Sequence, residues 1–223
     1  MPDWYFLSGS SKTGMGYREV NWLLPRQRQI LLARQNIYDG SWEKTPSMGW
    51  MFVPLVEYQG GGAAATLEPL AEHLEEYAAH LAQNLGSGVQ ACYRGHQLYD
   101  GEKTRKVVEY WVGLYKKYRA ILESDVVHLR RPDGRDIDGL LHVNAQLETR
   151  GLAMLYNPLA QEVVRQLRLP LYYTGLRTRA RIREREGEKK LYELDRHYQV
   201  ELELRLAAKG ATWLVIEAEE SAG

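Results

Sequence analysis

The sequence predicts two unlike parts, an α/β segment followed by an all-β segment, joined by a long helix. Two observations carry this reading. Up to about residue 125 short apolar runs alternate with stretches whose apolar residues recur every three or four positions, the pattern of strands alternating with amphipathic helices. From Val126 onward the apolar period falls to two and Gly-, Pro- and Asn-containing turns separate the runs, the pattern of short antiparallel strands. A third observation concerns the early strands, each of which runs into a Gly-rich or aromatic loop.

Each element follows from local chemistry. Trp4-Tyr5-Phe6-Leu7 reads as a strand that stops at Ser8-Gly9-Ser10-Ser11. Pro25 near the start, with Ile30, Leu31 and Ala33 behind it, predicts a helix over 25–36, ended by the loop Tyr38-Asp39-Gly40-Ser41-Trp42. The unbroken apolar run 49–56 predicts a strand covered on both faces. Leu67, Leu70, Leu74, Tyr77, Leu81 and Leu85 mark the next helix, with Thr66 as its cap and Gly86 as its close. Val89–Tyr93 is a second short buried strand. Val107, Val108, Trp111, Leu114, Tyr115, Tyr118, Ile121 and Leu122 form the stripe of a helix over 104–123, capped by Thr104. Runs at 126–129, 140–143, 152–156, 180–183, 198–204 and 212–216 then read as strands. Pro132-Asp133-Gly134, Asn157-Pro158, Thr174-Gly175 and Lys209-Gly210 supply the turns. Six or more short strands at this spacing argue an antiparallel sandwich. The charged stretches 130–138 and 177–190 read as a tight ion-paired turn and a solvated hairpin.

Composition excludes several classes. Lys+Arg and Asp+Glu are both 29, so no overall field draws the chain to nucleic acid or to an anionic membrane. The single cysteine, Cys92, forbids an internal disulfide and argues against a thiolate zinc site. No apolar run approaches the roughly 20 residues that span a bilayer. The residues after Met1 lack the basic region of a signal peptide. Fifteen Tyr and six Trp against two Phe is a skew toward aromatics that combine an apolar face with a hydrogen-bonding edge. Such a set suits stacking on sugars or bases and also serves ordinary half-buried cores.

Candidate functional residues cluster after the early strands. Gly60-Gly61-Gly62 matches neither the P-loop nor the dinucleotide spacing and reads as a turn of close backbone approach. Glu57, with Tyr58 beside it, stands where a buried strand ends, the position at which parallel α/β folds place functional groups. It serves as such a group, pairs with a nearby Arg or caps the next helix. Arg94 holds the equivalent place after the next strand, as a substrate clamp or a structural ion pair. Asp39 and Glu19 lie beside aromatics, Tyr38 with Trp42 and Tyr17 with Trp22, in the manner of carboxylates next to a stacking platform. The six His show no metal-ligand spacing, Ser8 and Ser10 lack a nucleophile-elbow context, and no metal or cofactor is expected.

The long helix in "EYWVGLYKKYRAILESDVVHLRRPDG" passes directly into a β segment containing "GLAMLYNP", "LPLYYTGL" and "ATWLVIEA". This resembles the carboxy-terminal third of glycoside hydrolases of the α-galactosidase type, whose (β/α)8 barrel is followed by a β-sandwich. The resemblance implies that residues 1–124 are the last units of a partial barrel and residues 125–223 the sandwich. It implies two catalytic carboxylates, the nucleophile's strand upstream of Met1 and the acid/base either near the first loop, with Glu19 as the candidate, or upstream as well, with Trp50, Glu57, Tyr58 and Arg94 lining a carbohydrate pocket. A full barrel takes about 250 residues. The expectation is therefore a carboxy-terminal piece of a longer hydrolase, or a truncated reading frame, inactive alone and completed by its missing amino-terminal segment or by an oligomeric partner. The alternative is a non-catalytic carbohydrate-binding or scaffolding protein that uses Trp42 and Trp50.

Overall fold

The computed structural model describes residues 24–42, 50–52, 62–89, 91–93 and 96–219. The chain divides into two units between Tyr118 and Arg119.

In the first unit, helix α1 (Arg26–Gly40) follows Pro25, whose fixed φ and missing N–H suit a helix start. It runs four residues beyond the expected end, so Tyr38 and Asp39 are helical and the loop expected there begins only at Ser41. The last turn is closed by Ser41, whose N–H reaches Ile37 O and whose hydroxyl donates to Tyr38 O. That side-chain cap offsets the weak helix propensity of Asp39 and Gly40. The amino end is tied to the turn at 62–66 by Arg26, which donates to Ala63 O and Thr66 O at 2.8 and 2.9 Å. Strand β1 (Trp50–Phe52) leads toward a second helix.

That helix does not start at Thr66. A 3-10 turn occupies Leu70–His73 and α2 spans Leu74–Gly86, because Pro69 holds Glu68 out of helical geometry. Thr66 instead donates to Gly62 O. Gly88, at φ +68, takes the left-handed position past the carboxy end, while Val89 N–H reaches back to Asn84 O. Strand β2 (Ala91–Tyr93) pairs with β1 in parallel, Trp50 opposite Ala91 and Phe52 opposite Tyr93. Helix α2 packs against α1 and β1.

Helix α3 (Glu102–Leu122) begins two residues before the expected 104, so Thr104 lies inside the first turn. Its hydroxyl accepts from Asp100 N and Gly101 N and closes a cap from within. Val108, Trp111, Leu114, Tyr118, Ile121 and Leu122 are buried along the expected stripe. Tyr118 departs from helical geometry (φ −106°, ψ 16°) and kinks the helix at the division between the units.

The second unit is an antiparallel β-sandwich. Strands β3 (Asp125–Arg130), β4 (Asp138–Val143), β5 (Thr149–Tyr156), β10 (Ala211–Glu217), β7 (Arg179–Glu184) and β8 (Lys190–Glu193) form one sheet in that order. Strands β6 (Val163–Pro170) and β9 (Gln199–Leu206) form the other, paired along their full length. Leu141, Ala153, Leu155, Leu214 and Ile216 of the large sheet share one core with Val200, Leu202 and Leu204 of the small one. Each leucine, isoleucine and valine among them contributes about 1.5–3 kcal/mol by leaving water. Strand β9 alternates buried and exposed positions, whereas β4 and the inner part of β5 are buried on both faces. The charged stretch at 130–138 is a turn held by Arg130–Asp133 at 2.7 Å and further tied to β6 by Arg165–Asp136 at 3.0 Å. The one at 177–190 lies largely in the β7–β8 hairpin.

Candidate functional site

The parallel pair β1–β2 fixes a direction. Since Phe52 and Tyr93 sit side by side, the chain leaves both strands at the same edge. Glu57 and Tyr58 follow β1 in sequence and Arg94 follows β2, so the connections carrying these three residues start from neighbouring points. Parallel α/β sheets bind ligands at that carboxyl edge, because strand ends and helix amino termini converge there. Glu57, Tyr58 and Arg94, together with Glu19, lie outside the described residues.

Asp39 and Trp42 belong to a different connection. Asp39 is exposed in the last turn of α1, and Trp42, 68% exposed, follows it on the segment that enters β1. Trp50 opens β1, at the amino end of the strand. Along the chain, Asp39 and Trp42 thus precede β1, Trp50 opens it, Glu57 and Tyr58 follow it, and Arg94 follows β2.

Helices α1 and α2 carry buried polar side chains. His80 of α2 is buried, with Gln83 Nε2 3.2 Å from its Nδ1 and Asn84 Nδ2 donating to its backbone oxygen. Burial first, and the positive charge of Arg34 second, lowers the His80 pKa to about 3, so the ring is neutral at physiological pH. Gln29 of α1 is also buried and donates to Leu24 O and Ala65 O, which makes it a structural tie. Among the described residues no group of three His, Cys, Asp or Glu side chains is placed to hold a metal ion, and no helix is long and apolar enough to cross a membrane.

The sandwich carries exposed aromatics that the sequence reading passed over. Tyr172 and Tyr173 stand out at the end of β6; two adjacent aromatics ahead of the Thr174-Gly175 turn were the available signal.

No protein-family model matches the chain, and no curated protein matches it. Solved structures do. The GH36 α-galactosidase AgaA from Geobacillus stearothermophilus superposes with a TM-score of 0.57 at 19% identity, over 85% of this chain and 24% of its own. The galactosidase domain of the α-galactosidase–sucrose kinase AgaSK gives 0.55 at 17% identity, over 84% and 24%. The GH27 β-L-arabinopyranosidase Abp from Geobacillus stearothermophilus gives 0.50 at 11% identity, over 84% and 41%. The chain is similar in fold to these enzymes and spans about a quarter of the length of the α-galactosidases.

Proposed function

We propose that this chain forms the carboxy-terminal part of a carbohydrate-active glycoside hydrolase, contributing the last units of a (β/α) barrel and the sandwich that follows. One observation carries the reading. In this chain a unit of helices and parallel strands is followed by an antiparallel sandwich, and the similarity in fold to the α-galactosidases extends over 84–85% of the chain, which supports the reading. In this reading residues 1–124 supply the barrel units and residues 125–223 the sandwich. Glu57, Tyr58 and Arg94, on connections that leave the parallel strands together, line the sugar pocket. Arg94 clamps a substrate hydroxyl through its planar fork of donors, Glu57 accepts hydroxyl protons, and Tyr58 offers a ring to stack on. Glu19 is the proposed acid/base, and the nucleophile belongs to the remainder of the enzyme. Asp39, in the last turn of α1, and Trp42, just after it, precede β1 in the chain and are left out of this pocket.

The test is hydrolysis of aryl α-galactosides and aryl β-L-arabinopyranosides by the polypeptide read from the whole gene, beside the 223-residue chain. The whole product is expected to be active and the 223-residue chain inactive. Arg94→Ala and Glu57→Gln in the whole product should raise KM roughly tenfold or more, the worth of one charge-assisted hydrogen bond to substrate. Absence of glycosidase activity in the whole product would overturn the reading. Activity with an unchanged KM in both variants would remove these residues from the pocket.

A further inference from the structure

Tyr172 and Tyr173 occupy a 3-10 turn (Tyr172–Thr174) after β6 and are 55% and 65% exposed. The backbone beneath them is fixed. Leu171 is fully buried, Thr174 Oγ1 donates to Leu171 O at 2.6 Å, and Gly175 closes the turn at φ +75, where an added Cβ would meet Ala145. The Tyr172 ring meets Tyr173 edge-on, at 5.2 Å between centroids and 87° between planes. It meets Tyr198 at 5.4 Å and 71°. The Arg177 guanidinium lies 5.5 Å from the Tyr198 ring centre.

Tyr198 arrives from the turn before β9, and its backbone is strained. Its φ is +58, a left-handed conformation that is a genuine outlier for an aromatic residue and that Gly or Asn would take with little cost. The strain is held by a closed set of bonds. Tyr198 N–H donates to Asp195 O at 2.9 Å, and Tyr198 O accepts from Leu171 N at 2.8 Å. The Asp195 carboxylate accepts from His197 N and Gln199 N at 2.8 and 2.9 Å. A large ring therefore occupies a position whose backbone favours glycine, and what the ring gains there is contact with Tyr172 and Arg177. Strain of this kind persists only where the surrounding structure holds it, and it marks the position as a candidate for function.

We propose that Tyr172, Tyr173 and Tyr198, with Arg177 at their rim, form a binding platform for a neutral glycan on the surface of the sandwich. The chemistry favours sugar over a protein surface. The exposed rings, Tyr172 and Tyr173, offer an apolar face and a hydroxyl edge beside the half-buried Tyr198, with guanidinium donors from Arg177 and Arg196 nearby in the sequence. No exposed aliphatic side chain of residues 171–177 or 195–199 adds to them. A pyranose stacks its C–H face on such a ring while its hydroxyls take the donors.

Affinity electrophoresis of the full chain in gels containing galactomannan, soluble starch or polygalacturonate tests this, with thermal melts run alongside. A neutral polymer is expected to retard the wild type. Tyr173→Ala and Tyr198→Asn should each weaken that binding about tenfold or more. Tyr173→Ala should melt like the wild type, and Tyr198→Asn at the same temperature or higher, because it relieves the left-handed strain. No retardation by a neutral polymer, or equal retardation of the variants, overturns the proposal. Retardation by polygalacturonate alone, lost at high salt, also overturns it, since charge and not stacking would then explain binding. Hydrolysis is not part of the readout, so the platform and the glycosidase reading can fail independently.

Discussion

His142 shows how far one residue can depart from what its type suggests. It lies in β4 between Val126 and Leu152, fully buried, and neither ring nitrogen has a hydrogen-bond partner among the described residues. Burial first, and the neighbouring His128 second, lowers its pKa to about 3. The folded pKa is depressed below the unfolded value of 6.5, so the stabilisation is full above pH 6.5 and is lost as pH falls from there toward 3. Each pH unit in that window costs about 1.4 kcal/mol per group, because the unfolded chain takes up a proton that the folded chain refuses. Urea unfolding at pH 7.5 and pH 5 should therefore show a loss of roughly 2 kcal/mol from His142, and His142→Leu should lack that share. At pH 7.5 the Leu variant should be as stable as the wild type or more so, since it removes an N–H buried without a partner. An unchanged pH dependence in the variant would show that the ring is hydrated or paired in the folded state. None of this was legible in the sequence, where His142 is one of six scattered histidines. The same holds for Tyr198, whose ring contacts depend on a backbone angle. Glu57 and Arg94, by contrast, were singled out because strand ends are visible as the ends of apolar runs.

Among the elements, the connections are as specific as the strands. Asn157, just past β5, joins two turns: its Nδ2 donates to Gln161 O and Ala207 O at 2.8 and 2.9 Å, its Oδ1 accepts from Leu159 N, and its N–H donates to Gly210 O. It is buried, so Asn157→Ala removes the donor to Gln161 O and one of two donors to Ala207 O, the other being Gly210 N–H, and should cost about 1–3 kcal/mol in a urea titration. Asn157→Asp should melt lower still, because a carboxylate would face those carbonyls; an Asp variant more stable than the Ala variant would refute that account. Gly139 of β4 has no room for a side chain, since an added Cβ would collide with the backbone oxygen of Met154 and lie 2.9 Å from Leu155 Cδ2. Gly139→Ala should destabilise by about 1–3 kcal/mol, read as a lower urea midpoint. The helices were legible because their apolar stripes are long and regular. Strand β6 was not expected, because Arg165, Gln166 and Arg168 on its exposed positions hide the alternation. Strand β8 was not expected either, being four residues within a charged run.

At the scale of the whole molecule the two units differ in what holds them. The described parallel strands are three residues each, and a two-stranded sheet of that size has little stability of its own. The sandwich has eight strands and a shared core. Hydrogen exchange should find the slowest amides in β5 and β10, which are paired on both edges and buried along their inner positions. The edge strands β3 and β8 should exchange first. Exchange from β8 as slow as from β10 would contradict that order. By itself the sequence determined the change from α/β to all-β near residue 125, the helices, most strands and the turns between them. These are written in apolar period and turn chemistry, which act over a few residues. Only the tertiary structure decided that β10 inserts between β5 and β7, that β6 and β9 form a separate sheet, and that Tyr198 meets Tyr172. Those pairings join segments far apart in the chain, and they are selected by burying both faces of one sheet and closing its backbone hydrogen bonds, conditions that no local stretch of sequence records.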